Sequence, residues 1–148
     1  MDRGEINSTL GKSRLLQYGL IAATLILAWV AEIGRRPGSD DWTWRHWLVA
    51  GGAVYVAWVG FRFRRRLFDR SGKALAIDAS DIKAFKQWKV ANGFGLYMAF
   101  AVGECGLVVR MVLGGGFWQA SLFYAASLLL LLIWTPRAPV IDAAEGTK

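Results

Sequence analysis

The chain has 148 residues, 55% of them hydrophobic and 14% aromatic, with a mean hydropathy of +0.32 and a net charge of +7. One unit of this length cannot hide so much apolar surface in a single core, which excludes an ordinary soluble domain and points to a bilayer as the solvent. The lone cysteine, Cys105, excludes dithiol redox chemistry, and the lone histidine, His46, excludes bis-histidine haem ligation within the chain.

The apolar residues fall in blocks of membrane-spanning length. The first span covers residues 15–33 and carries one charge, Glu32, at its far end. Arg3, Lys12 and Arg14 precede it as they would a signal peptide. Trp29, however, stands where cleavage needs a small residue, so the segment reads as a retained helix. A turn-rich stretch with Pro37, Gly38, Ser39, Asp40 and Asp41 follows. The second span, residues 47–63, is the shortest, and a re-entrant segment is its alternative.

Residues 62–90 read as a basic cytoplasmic loop. Arg62, Arg64, Arg65 and Arg66 form a collar at the membrane edge, and Ser71-Gly72 signals a turn. From Ser80, a candidate N-cap, Ile82, Phe85 and Trp88 recur at helical spacing. Lys83, Lys86 and Lys89 lie around them, so a short basic amphipathic helix on the headgroups is expected. The third span, residues 91–113, is interrupted by Glu104 and Arg110. Gly114-Gly115-Gly116 turns the chain into the fourth, residues 117–134. The fold class expected is an all-α integral membrane protein, a single membrane domain of four spans in two hairpins.

Fourteen Lys and Arg residues lie in the N-terminal tail, the middle loop and the C-terminal tail, against three in the first loop and none in the glycine turn. Positive residues stay on the cytoplasmic side, which places both termini inside a bacterial-type inner membrane. The same bias accounts for most of the net charge. The expected partner is therefore an anionic headgroup layer, contacted by Arg62, Arg64, Arg65, Arg66, Lys83, Lys86 and Lys89, and not nucleic acid.

Glu104 falls near the middle of the third span, where a charged side chain costs about 2.5–3.5 kcal/mol on insertion scales. Thr24, Tyr55 and Tyr124 lie at similar depth on the other spans, so the four are expected to form a polar midplane layer. Glu32 and Arg110 share a depth nearer the outer surface, where an ion pair would lower the cost of both. Gly95, Ala99, Gly103 and Gly106 on the third span and Ala50, Ala53, Ala57 and Gly60 on the second form stripes of small residues that let helices approach closely. The two stripes are expected to meet each other.

No spacing of metal ligands, no nucleophile with a base at one depth and no phosphate-cradling glycine loop is present, so neither a metal, a cofactor nor a catalytic role is expected. The reading that follows is a non-catalytic accessory or scaffold subunit of a membrane complex or of a homo-oligomer. The alternative is a small transporter or proton/cation conduit organised around Glu104. A lipid-modifying enzyme comes last, because reactive groups near one interface are scattered.

Overall fold

The computed structural model describes residues 3–33, 38–39, 41–78 and 80–138. The expected loop residues Pro37 and Asp40 lie outside this set. The described chain is all-helical: α1 (Arg3–Glu32), α2 (Trp44–Ile77), α3 (Ile82–Met111) and α4 (Phe117–Ile133). α1 from Gly4 and the whole of α3 are long and apolar enough to cross a membrane, whereas α4 is apolar but only 17 residues long.

α3 is the hub. Small residues (Ala91, Gly95, Ala99, Gly103, Gly106) alternate along it with Leu96, Val102 and Val109, all buried, so a broad band of its surface admits close neighbours. It packs extensively on each of the other three helices, and α1 and α4 also pack on each other. One cluster joins Leu20 of α1, Leu96 and Ala99 of α3 and Leu131 of α4. Another joins Ala53 of α2, Val102 and Val109 of α3 and Phe123 of α4.

Three helices run on beyond the end of α4. Ile6 of α1, Leu75 of α2, and Ala84, Phe85 and Trp88 of α3 form a third buried cluster there, with Phe68 and Leu10 packed against it. The stretch expected to be a loop is therefore mostly helix. α2 passes through Arg62–Arg66 and the Ser71-Gly72 pair without a break, and Ser71 Oγ donates to the Leu67 carbonyl one turn back. Burying a side chain such as Leu75 or Phe85 away from water contributes about 1.5–3 kcal/mol. A glycine inside a helix costs only about 0.5–1 kcal/mol, so packing overrides the turn signal.

The amphipathic interfacial helix is likewise not a separate element. Ile82–Lys89 forms the first two turns of α3, and Phe85 and Trp88 of its apolar side pack against Leu75 and Ile6, whereas Ile82 is exposed. The N-cap is Asp81 and not Ser80: Asp81 Oδ1 accepts from the N–H groups of Lys83 and Ala84 at 2.8 and 3.0 Å. Ser80 instead binds Asp78, whose Oδ1 accepts from both its N–H and its hydroxyl. Those bonds, the hydroxyl first, hold the Asp78 carboxyl below its ordinary value.

Candidate functional site

At the end where α1 and α3 finish, Arg110 is 6% exposed and turns toward α1. Its Nε donates to Glu32 Oε1 at 2.9 Å and its Nη2 to Glu32 Oε2 at 2.7 Å, a bidentate pair between the two helices. Its Nη1 donates to the Gly115 carbonyl at 2.8 Å, so one guanidinium also holds the α3–α4 turn. That turn reverses at Gly114, whose φ of +69° suits glycine.

The connection from α1 to α2 rests on the same turn. Gly116 N–H donates to the Ser39 carbonyl at 2.9 Å, and a Cβ on Gly38 would sit 2.5 Å from the Gly115 oxygen. His46, at the start of α2, accepts the Thr43 N–H on Nδ1 at 3.1 Å and so completes the helix N-terminus. Its buried Nε2 faces Gly115 and has no hydrogen-bond partner among the described residues. His46 and the turn were not connected by sequence pattern, since the contact depends on how two loops cross.

The four residues expected as a polar layer do not assemble. Thr24 is buried, but its hydroxyl bonds the Leu20 carbonyl of its own helix. Tyr55 is 64% exposed on the outside of α2 and stacks near Trp58. Tyr124 is buried beside Gly106, within electrostatic reach of Glu32 and Arg110, and its hydroxyl has no hydrogen-bond partner among the described residues. Glu104 is exposed and makes no hydrogen bond or ion pair among the described residues. Depth along the axis matched, but at about 100° of rotation per residue the four side chains leave their helices in different directions.

Glu104 stands instead on an outward stripe of α3. Val90, Tyr97, Val108 and Met111, all exposed, share its face at helical spacing. A single carboxylate therefore interrupts an otherwise apolar helix surface that no other part of the described chain covers.

The stripes of small residues are both used, though not against each other throughout. In α2, Ala53 and Gly60 are buried and Ala50 and Ala57 half-buried, and a Cβ on Gly60 would meet Met98 of α3. In α3, a Cβ on Gly103 would meet Ser127 of α4 and Thr24 of α1. One on Gly106 would meet the Ala120 carbonyl of α4. Gly103 and Gly106 therefore seat α4 and α1 and not α2. Ala99 packs with Leu20 of α1 and Leu131 of α4. Gly95 makes room for the Arg64 side chain.

Of the expected headgroup contacts, Arg62, Arg65, Arg66, Lys83, Lys86 and Lys89 are exposed, and Arg62 lies over the Trp58 ring and Lys89 over the Phe85 ring. Arg64 is the exception. It is 9% exposed, lies over Phe68 and near Trp134, and donates from Nη2 to the Thr135 carbonyl at 2.8 Å. Burial, and after it the charge of Arg137, pulls its pKa down to about 10, so it stays cationic at neutral pH.

Among the described residues no group of His, Cys, Asp or Glu is placed to hold a metal ion. Compared with known proteins, the chain matches no family model, no curated protein and no solved structure.

Proposed function

We propose that this chain is a four-span inner-membrane protein, one membrane domain with both termini in the cytoplasm, that serves without catalysis as an accessory or scaffold subunit of a larger membrane complex. The observation that carries the reading is Glu104 on the outward face of α3. A carboxylate turned to hydrocarbon costs several kcal/mol, and a neighbouring protein helix that offers it a donor removes most of that cost. Large apolar side chains on α1, α2 and α4, among them Leu25, Trp29, Leu48, Trp58, Leu122 and Leu132, are exposed, which fits a lipid-facing surface. The basic groups gather on the far ends of α2 and α3, which supports the cytoplasmic assignment of that end.

A conduit organised around Glu104 would need polar groups converging on the carboxylate. Tyr55 and Tyr124 are turned elsewhere, so that reading loses its support.

Native mass spectrometry of the protein extracted gently from its own host tests the proposal. Co-purification with other polypeptides at fixed stoichiometry, lost in Glu104→Leu but kept in Tyr55→Leu, is the expected result. A bare monomer that carries protons or cations across liposomes would overturn it in favour of a conduit.

A further inference from the structure

A cavity of about 620 Å³ opens between α2 and the end of α4, next to the basic helical extension. Its charged lining is Arg64, Arg65, Lys73 and Arg137 with one carboxylate, Asp69. Asp69 faces Arg65 at 4.0 Å, one turn along the same helix, and both are largely exposed. Arg64, Lys73 and Arg137 have no ion pair among the described residues. Arg64 is buried, and the charge of Arg137 acts on it in addition to its burial.

The rest of the lining is largely apolar, with Phe61 and Phe68 between the cations of α2 and Ile133 and Trp134 at the end of α4. An uncompensated cationic cluster beside an apolar lining fits a ligand with an anionic head and a hydrocarbon body. The guanidinium fork matches phosphate oxygens in pairs. The volume lies in the range of about 300–1,000 Å³ that takes a ligand of drug size, far more than one inorganic phosphate fills. The backbone that frames the cavity is fixed. Arg64 holds the Thr135 carbonyl, Trp88 Nε1 donates to the Arg137 carbonyl at 3.0 Å, and Asn92 Oδ1 accepts the Arg137 N–H.

We propose that this cavity is a binding site for a phosphate-bearing group, supplied by the headgroup of an anionic phospholipid whose chain lies along Ile133 and Trp134. Arg64 supplies the buried positive field, and Lys73 and Arg137 grip the phosphate from the exposed rim. The site is a specific pocket, distinct from diffuse attraction of the basic surface to the membrane.

The test is native mass spectrometry of the full chain in mild detergent, titrated with phosphatidylglycerol, with phosphatidylcholine and with inorganic phosphate as competitor. Two charge-matched double variants are compared, Lys73→Gln/Arg137→Gln in the cavity and Lys83→Gln/Lys86→Gln on the exposed start of α3. All four side chains are exposed, so folding is preserved. Phosphatidylglycerol should bind in preference to phosphatidylcholine. The cavity variant should weaken it about 25-fold, at about fivefold per cation, while the α3 variant changes it by less than twofold. Displacement by inorganic phosphate at millimolar concentration would keep the phosphate site and assign it to a soluble anion. Equal losses in both variants, or equal binding of the two lipids, would overturn the proposal.

Discussion

Trp88 donates its indole N–H to the carbonyl of Arg137, so the first turns of α3 hold the chain that leaves α4. The same indole is 1% exposed at the centre of the α1–α2–α3 cluster, and one side chain thereby serves two contacts of different chemistry. Trp88→Phe removes the donor and one ring of the indole but keeps an aromatic side chain in the cluster, and should cost about 1–3 kcal/mol. Trp88→Ala removes the packing as well and should cost about 3–5 kcal/mol. Trypsin cleavage after Arg137, followed with time, should accelerate in both variants, and thermal unfolding should shift further in the second.

Glu32→Gln leaves the Arg110 guanidinium buried without its counter-charge. Removing one partner of a fully buried pair costs about 3–5 kcal/mol, and since Glu32 is 29% exposed the expected loss is about 2–3 kcal/mol. Glu32→Gln combined with Arg110→Met should cost less than the sum of the two single changes, because the second removes the orphaned charge. Unfolding in mixed micelles measures all three; strict additivity would show that the pair is energetically idle.

Two glycines of α3 should respond oppositely to alanine. A Cβ on Gly106 would lie 2.9 Å from the Ala120 carbonyl of α4, so Gly106→Ala must push the helices apart and should destabilise by about 1–3 kcal/mol. Gly93 has open space around it, and Gly93→Ala should be neutral or should stabilise by up to about 1 kcal/mol. Thermal unfolding of the two variants side by side is the measurement.

The short link between α2 and α3 carries a pH dependence of known sign. Ser80 holds the Asp78 carboxyl below its ordinary value of 3.8, so its contribution to stability is present above that value and disappears as the pH falls through the lowered one. Ser80→Ala should move the Asp78 titration up toward 3.8, as read by carbon NMR of a labelled aspartate. An unmoved titration would mean that the Ser80 hydroxyl is not the cause.

Much of this arrangement could be read from residues alone, and the exceptions share a cause. The helical content and the meeting of Glu32 with Arg110 follow from counting along the chain, because each helix rises a fixed distance per residue. Glu104 shows the limit of such counting: its depth is legible, but its direction depends on which neighbours its helix acquires. The run Arg62–Arg66 shows another. Arginine and lysine are good helix formers, so a charged stretch reads as loop or helix until a buried partner such as Leu75 decides. Arg64 differs from its neighbours only in facing Gly95 and Trp134, and nothing in the run itself marks it.

The central position of α3 also sets an order of assembly. α1 and α2 share no extensive interface, and each leans on a helix that is synthesised after both of them. As the chain grows, the first two helices must therefore wait as separate segments, since neither offers the other an extensive surface. They close only when α3 inserts between them, and α4, arriving last, covers the glycines that α3 still presents.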